Sequence, residues 1–215
     1  KVLKKVLEKT IIEIMIERVQ NANLLDDVVV ATTTNSIDDE LVNLLKSKQI
    51  KYFRGSEKDV MHRVLSAAKF YNVENIVEIP GDCPLIDHRL LDRLIRFFNS
   101  SKFSYVSNII KRSFPHGMDM EMFNYNTLEK IKKSAKSKFD KEHVTSYITK
   151  NRKEFLIGHL LNIKNEKKYR ITVDYREDLK LVDKIINYFK PNIYFSTKQI
   201  VNYLKKKPHL VKINS

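Results

Sequence analysis

A short β-branched run that ends in a proline-glycine turn constrains the fold of this sequence more than any other feature. Ile76–Ile79 is typical of a buried strand, and Pro80-Gly81 ends it because proline cannot donate a hydrogen bond to a sheet ladder. Asp82 follows at once, so an acid is predicted at the carboxyl end of a central strand, the edge where open α/β sheets bind ligands. An ordinary strand-to-helix turn, with Asp82 as a helix cap, is the alternative.

Composition and length favour a globular protein of one domain. The chain has 215 residues, 42% of them hydrophobic, which is enough for a sizeable core in a single domain over residues 1–215. No apolar run is long enough to span a bilayer, so no membrane partner is expected. The single cysteine, Cys83, excludes an internal disulfide and fits a cytoplasmic location.

The net charge of +14 raises the question of a nucleic-acid partner. The lysines are spread along the chain, and the densest runs, Lys130–Lys138 and Lys205–Lys207, fit solvated helix faces. No basic motif interleaved with aromatic residues is present, so no nucleic-acid role is expected. A small phosphate-rich substrate would be attracted by the same positive field.

Strand and helix patterns alternate in the first half of the chain with short joins, which is typical of a parallel α/β sheet. The predicted elements are a helix within Lys1–Asn21, a fully buried strand at Val28–Ala31, a helix at Ile37–Ser47 capped by Asn35 or Ser36, a strand at Lys51–Phe53, a helix at Asp59–Phe70, the central strand, and a helix at Arg89–Phe98 capped by Asp87.

The second half mixes its elements differently. The predicted strands are Tyr105–Ile110, Asp119–Phe123, Phe155–Asn162 and Tyr169–Val173, and the predicted helices are Thr127–Ser137, Glu142–Lys150, Glu177–Phe189 and Thr197–Lys206.

Asp82 and Asp174 share a context, because each ends a β-rich run and precedes a helix. Two acids at strand ends of one sheet can converge on a hard cation, and Mg²⁺ commonly shares such carboxylates with phosphate oxygens. The alternative is that both acids cap helices. Glu177 or Asp178 could cap the helix after Asp174, which would leave Asp174 free for a ligand.

Two further segments carry polar groups suited to binding. Arg54-Gly55-Ser56-Glu57-Lys58-Asp59 offers an arginine fork, backbone amides and a helix amino end for nucleotide phosphates, although Ser56 and Asp59 alone favour plain helix capping. His116-Gly117-Met118-Asp119-Met120-Glu121 places Asp119 and Glu121 on one strand face, and Glu142-His143 adds a second acid and histidine at a helix start. Contacts to a hydroxylated substrate are favoured over zinc, because no helical histidine pair or cysteine cluster is present. Cys83 is expected to be a small buried filler.

These motifs together resemble the sugar-acid cytidylyltransferases. The resemblance is to the spore-coat-polysaccharide branch, whose relatives act on N-acylneuraminate and 3-deoxy-manno-octulosonate. It runs nearly end to end, through Val29-Val30-Ala31-Thr32-Thr33, Arg54–Val60, Gly81-Asp82-Cys83-Pro84-Leu85-Ile86-Asp87, Tyr105–Asn108, Phe114–Asp119, Glu142–Thr145, Thr172-Val173-Asp174 and Glu177–Leu179.

The resemblance implies a Rossmann-like, GT-A-like nucleotidyltransferase with a mostly parallel sheet flanked by helices and a small β/α dimerisation extension. The implied reaction is Mg²⁺-dependent transfer of CMP from CTP to a nonulosonate-like sugar acid, with release of pyrophosphate, for cell-surface glycans. The implied site comprises Asp82 and Asp174 as Mg²⁺ ligands and catalytic residues with Lys1; Thr32, Arg54, Gly55, Ser56, Asp59, Arg63 and Gly81 around the nucleotide; and His116, Asp119, Glu121, Glu142 and His143 around the acceptor. Homodimers are implied, with the segment Ser113–Lys150 reaching toward the partner.

One departure concerns the start of the sequence. Enzymes of this type open with a strand and an arginine-rich loop ending Leu-Pro-Gly-Lys, and Lys1-Val2-Leu3 resembles the tail of that loop. We expect the missing segment to belong to the natural protein and its loss to impair the enzyme. The alternatives are another nucleotide, a non-sugar acceptor such as a phosphonate, a decayed nucleotide-sugar binding protein, and a nucleic-acid binder.

Overall fold

The structure, a computed structural model, describes residues 1–214. Its strands are β1 (Lys5–Val6), β2 (Lys9–Thr10), β3 (Val29–Thr33), β4 (Lys51–Gly55), β5 (Asn75–Glu78), β6 (Tyr105–Ser107), β7 (Glu121–Asn124) and β8 (Ile157–His159). Its α-helices are α1 (Ile11–Gln20), α2 (Asp39–Ser47), α3 (Val60–Phe70), α4 (His88–Asn99), α5 (Tyr125–Ser134), α6 (Lys138–Glu142), α7 (Ser146–Lys150), α8 (Arg176–Phe189), α9 (Thr197–Lys206) and α10 (Pro208–Val211), with 3-10 turns at Ser36–Asp38 and Arg152–Glu154. Within residues 1–214, no helix is both long enough and apolar enough to cross a membrane.

The strands pair in both directions. β3 and β4 are parallel, and a separate four-stranded sheet has the order β5-β7-β6-β8. In that sheet β7 runs antiparallel to both of its neighbours, whereas β6 and β8 are parallel. The predicted α/β class with flanking helices is confirmed, and the sheet is mixed because the chain returns through β7 between β5 and β6.

Side chains of β6 and β7 alternate between two hydrophobic clusters. Tyr105 pairs with Phe123, and both join the cluster that includes residues of α5 and α7. Val106 pairs with Met122, and both join the larger cluster on the opposite face, where α4 packs. The period of two along a strand therefore fixes which face each neighbouring residue presents.

The first helix is shorter than the sequence predicts. It begins at Ile11, because Thr10 and Glu13 form a capping box in which the Glu13 carboxylate accepts the Thr10 amide at 2.8 Å. Leu7 has a φ of 55°, a left-handed conformation that turns the chain between β1 and β2. Val6 and Leu7 thus lie in a small hairpin, and the helix predicted within Lys1–Asn21 is present only from Ile11 to Gln20.

Two strand predictions are also corrected. β3 is half-buried along most of its length rather than fully buried. Tyr169–Val173 forms no continuous ladder in the described chain; it makes an isolated parallel bridge, in which the His116 amide donates to the Tyr169 carbonyl at 2.9 Å and Ile171 N donates to the His116 carbonyl at 2.8 Å. The predicted strands at Tyr105–Ile110 and Phe155–Asn162 are present as the shorter β6 and β8.

The single helix predicted over Glu142–Lys150 is interrupted. The range begins at the end of α6 and, after a break, continues with α7. Glu142 is the last residue of α6, and His143 follows it, so neither lies at a helix start. The break is stabilised from inside, because the buried Asp140 carboxylate accepts hydrogen bonds from Ser146 Oγ at 2.7 Å and Lys150 Nζ at 2.6 Å. Asp119 likewise lies just before β7 rather than within it, so Asp119 and Glu121 are not two residues of one strand face.

Candidate active site

Asp82 and Asp174 meet at one cationic group. Lys1 Nζ lies 2.7 Å from Asp174 Oδ1 and 3.3 Å from Asp82 Oδ2. Hydrogen bonds from Lys1 and Arg170 lower the pKa of the Asp174 carboxyl. Burial, which lowers the pKa of Lys1, is outweighed by its bonds to Asp174 and Asp82, and the net shift is upward. The structure therefore brings together the two acids and the lysine that the sequence singled out.

Hydrogen bonds to the Asp82 backbone hold the two acids next to each other. The Asp82 carbonyl accepts hydrogen bonds from Val173 N at 2.8 Å and Thr172 Oγ1 at 2.9 Å. Asp174 comes directly after these donors, so the turn after β5 and the segment before α8 are joined side by side. Gly81 has open space around it, because an added Cβ would meet only Val2 Cγ1, at 3.7 Å.

Asp178, rather than Asp174, caps the helix that follows. Its Oδ2 accepts the amides of Asp174 at 2.9 Å and Tyr175 at 3.0 Å. Arg170 donates twice to the same carboxylate, at 3.0 Å each, and once to Asp174 at 2.6 Å. Burial alone would raise the pKa of Asp178, but these donors lower it to about 2. Asp174 therefore does not cap the helix, which agrees with the alternative in which Glu177 or Asp178 does so.

A buried arginine fixes the loop that follows Asp82. Arg18 on α1 is fully buried, and its guanidinium donates to the carbonyls of Leu85, Ile86 and Phe195, at 2.9 Å each. Asp87 caps α4, as predicted, by accepting the Arg89 amide at 3.1 Å. Neither Arg18 nor Arg170 was singled out from the sequence; the only signal for Arg170 is its spacing of four residues before Asp174.

Cys83 is buried, and burial raises the pKa of its thiol well above the ordinary value. This environment fits the predicted role of a small filler, because a reactive cysteine needs a lowered pKa and access.

Of the residues predicted to surround the nucleotide, Thr32, Arg54 and Gly55 lie at the carboxyl ends of β3 and β4, whereas Gly81 lies in the turn after β5. Thr32 is paired with Arg54 across the parallel strands. The Asp38 carboxylate accepts Thr32 Oγ1 at 2.7 Å, and Arg54 donates to the Thr33 carbonyl at 2.9 Å and to Asp39 at 2.7 Å. These polar groups are engaged with one another and form an ordered edge.

The neighbouring turn performs the capping that the sequence offered as an alternative. Ser56 Oγ accepts the Asp59 amide at 3.0 Å, and Asp59 caps α3. Arg63 donates to the Ser56 carbonyl at 2.7 Å, while its Nε atom is buried without a partner. Gly55 is required here, because an added Cβ would lie 2.9 Å from Arg63 Cγ.

The residues predicted to face the acceptor are divided between two places. Glu121, Glu142 and His143 line one cleft of about 560 Å³. His116 and Asp119 are not part of that lining. Asp119 instead accepts two hydrogen bonds from Arg112, at 2.5 and 2.9 Å, so this acid is paired within the chain. Burial and the nearby Arg112 charge lower the pKa of His116.

One carboxyl group in the lining of this cleft was not predicted from the sequence. Glu78, at the end of β5, lies directly opposite Glu121 on β7, and its Oε2 atom is buried without a hydrogen-bond partner. Glu121 Oε1 accepts hydrogen bonds from Tyr105 Oη and, at 2.6 Å, from Thr145 Oγ1. Finding Glu78 from the sequence would have required knowledge of which strand pairs with β5.

Comparison with known proteins identifies the family. Residues 1–207 match the profile of the family described as cytidylyltransferase. The chain belongs to the cytidylyltransferase family. It is 39% identical to the protein MJ1063 of Methanocaldococcus jannaschii over 219 residues, covering 100% of this chain and 88% of that protein. It is 26% identical to the spore coat polysaccharide biosynthesis protein SpsF of Bacillus subtilis over 217 residues, covering 97% of this chain and 88% of that protein.

A solved cytidylyltransferase structure from Leptospira borgpetersenii serovar Hardjo-bovis superposes on the whole chain. The TM-score is 0.95 at 34% sequence identity, and the match covers 100% of this chain and 90% of the other. The nucleotidyltransferase fold and the assignment as a cytidylyltransferase enzyme are thereby confirmed; the sugar-acid acceptor stays a prediction. Use of CTP follows from the family. The homodimer through Ser113–Lys150 and the cytoplasmic location stay predictions.

Proposed function

We propose that this cytidylyltransferase transfers CMP from CTP to a hydroxyl of a sugar acid, nonulosonate-like in size, with release of pyrophosphate. The observation that carries the proposal is that Asp82 and Asp174 both contact the Lys1 ammonium, just beyond the end of β5. The Bacillus subtilis relative is a spore coat polysaccharide biosynthesis protein, which supports a role in cell-surface glycans.

The donor set fits Mg²⁺. Both carboxylates are partly exposed, with side-chain exposures of 29% for Asp82 and 39% for Asp174. No group of three or more acids, histidines or cysteines placed to hold a metal occurs within residues 1–214. Two carboxylates are nevertheless a common protein contribution to Mg²⁺, which takes its other ligands from substrate phosphates and water. A bound Mg²⁺ would neutralise phosphate charge and promote ionisation of the attacking hydroxyl.

The chain's own residues have separate tasks in this scheme. Arg170 and the backbone bonds of the Asp82 carbonyl hold the two acids in place. The ammonium of Lys1 lies between the acids and is positioned to contact a phosphate oxygen when substrate binds. In the reaction, the acceptor oxygen bonds to the α-phosphorus, the bond from that phosphorus to the bridging oxygen breaks, and the hydroxyl proton passes to solvent.

The edge formed by β3 and β4 is proposed to hold the cytidine. Thr32 and Arg54 are fixed there by their bonds to the loop before α2. Arg63 packs against Gly55 at the same edge, and its Nε is buried without a hydrogen-bond partner. An edge that is already ordered before binding loses little entropy when it receives a nucleotide.

Calorimetric titration of the natural protein with CTP, UTP, ATP and GTP, each with Mg²⁺, tests the proposal. We expect CTP to bind at least about tenfold more tightly than the others, a difference that one or two directed hydrogen bonds to the base supply. A subsequent acceptor screen would follow pyrophosphate release. Equal affinity for all four triphosphates, or no affinity for any, would contradict the proposal.

A further inference from the structure

Two glutamates face each other in the cleft that begins beside the Pro80–Asp82 turn. The register of β5 and β7 places Glu78 opposite Glu121, so both side chains lie on the same face of the sheet. That face is the one on which Tyr105 and Phe123 are buried. Like charges directly opposite one another destabilise a sheet. Two acids at such positions therefore suggest a binding role rather than a stabilising one.

The two carboxyl groups are supported unequally. Glu121 accepts hydrogen bonds from the hydroxyls of Tyr105 and Thr145, which favour its ionised form. Glu78 Oε2 is buried and has no donor. Burial raises the pKa of Glu78 to about 8, Glu121 adds to the shift, and the charge of Arg63 on α3 opposes it.

The cleft lacks a group that completes this pair. The lining also carries Glu142 and His143 at the end of α6 and Arg152 beyond α7. Across residues 1–214, none of the side chains forms a salt bridge with Glu78 or Glu121. A cationic donor with several hydrogens would satisfy both carboxylates at once.

We propose that Glu78 and Glu121 form an ammonium subsite that binds a protonated primary amine of the acceptor. An ammonium has three donors and one positive charge, which match the unpartnered Oε2 of Glu78 and the facing carboxyl group of Glu121. The subsite deepens the proposed function and rests on it, because the same cleft includes Pro80, two residues before Asp82.

Binding of an amine would release a proton. In the free protein burial raises the pKa of Glu78 to about 8, so its carboxyl is protonated at lower pH, and burial also raises the pKa of Glu121, against the opposing hydrogen bonds from Thr145 and Tyr105. When the ammonium enters, the Glu78 O–H bond breaks, the proton passes to solvent, and the resulting carboxylate pairs with the cation. Above about pH 8 Glu78 is already ionised, so the released fraction falls toward zero.

The test uses three sugars that differ only in the group at one ring position. Glucosamine carries a protonated primary amine, N-acetylglucosamine carries a neutral nitrogen, and glucose carries a hydroxyl at that position. Each is titrated into protein with ¹³C-labelled glutamate carboxyl groups, with and without CTP and Mg²⁺. We expect glucosamine alone to shift the Glu78 resonance, to lower the pKa of Glu78, and to release a proton that calorimetry in two buffers detects.

Variants complete the test. Glu78→Gln should weaken glucosamine binding by about tenfold or more, because it removes a charge-assisted bond. Glu74→Gln, at an exposed glutamate just before β5, is the matched control and should leave binding unchanged. Equal responses to the three probes, or no response of Glu78 to glucosamine, would overturn the subsite. Absence of CTP binding in the same samples would contradict the proposed function separately.

Discussion

Two pairs of acids in this protein lie in contrasting environments. Asp82 and Asp174 are partly exposed and share the Lys1 ammonium, and Asp174 also pairs with Arg170. Glu78 and Glu121 face each other across one cleft, and neither forms a salt bridge among the described residues, while Oε2 of Glu78 is buried without a hydrogen-bond partner. Carboxylates that are paired with cations stay ionised and can receive a metal and phosphates, whereas buried acids without a partner retain a proton.

The comparison predicts that the two regions respond to pH with opposite signs. The pKa of Asp178, which orders the first region, is lowered to about 2, so its contribution to stability is present above its ordinary value of 3.8 and is lost as the pH falls through 2. The pKa of Glu78 is raised to about 8, so the folded state loses stability as the pH rises from the ordinary value of 4.5 to about 8.

Arg170→Met is expected to have the largest effect on stability. It leaves the buried carboxylate of Asp178 without its strongest partner and should lower the free energy of unfolding by about 3 kcal/mol. The acid limb of unfolding should also move to higher pH, because the pKa of Asp178 rises. Denaturant unfolding between pH 2 and 7 measures both effects. Arg176→Met, at an exposed arginine on the first turn of α8, is the control, and equal losses in both variants would contradict the role of Arg170.

Glu78→Gln is expected to flatten the alkaline side of the stability profile. Between pH 5 and 8 the natural protein should lose about 2 kcal/mol more than the variant, because only the natural side chain must ionise in a buried site. The measurement is the free energy of unfolding at several pH values. Parallel profiles for the two proteins would show that Glu78 does not titrate in the buried state described.

Tyr105→Phe should have the smallest effect of the three. It removes one of two hydroxyl donors to Glu121 and should cost about 1 kcal/mol of folding free energy. The pKa of Glu121 should rise as well, since a bond to its ionised form is lost; carboxyl NMR measures it. Tyr125→Phe, at the start of α5, serves as the control. An unchanged pKa of Glu121 in Tyr105→Phe would show that the Tyr105 hydroxyl does not stabilise the ionised form of Glu121.

The first region could be predicted from the sequence because its signals are local. Each of Asp82 and Asp174 directly follows a β-rich run, and the family motifs contain both. The capping boxes and helix ends at Asp59, Asp87 and Ser196 are also local, and the corresponding helices begin within a residue or two of their predicted positions.

The second region could not be predicted, because it depends on strand register between distant segments. Glu78 acquires its significance only when β5 pairs with β7 and brings it opposite Glu121. Apolar periodicity also misled the prediction at the start of the chain, where Val6 is buried in a hairpin and not in a helix. Local patterns therefore identify elements and their ends, whereas cross-strand neighbours require the fold.

Mg²⁺-dependent CTP binding by Asp82→Asn and Asp174→Asn tests the central claim most directly. Calorimetry would compare both variants with the natural protein and with Glu177→Gln, an exposed acid on the first turn of α8. We predict that the natural protein and Glu177→Gln bind CTP more tightly when Mg²⁺ is present. Each aspartate variant should bind at least about tenfold more weakly and lose the Mg²⁺ dependence, because one of two carboxylate ligands is missing. Unchanged affinity and unchanged Mg²⁺ dependence in either variant would contradict the assignment of that aspartate.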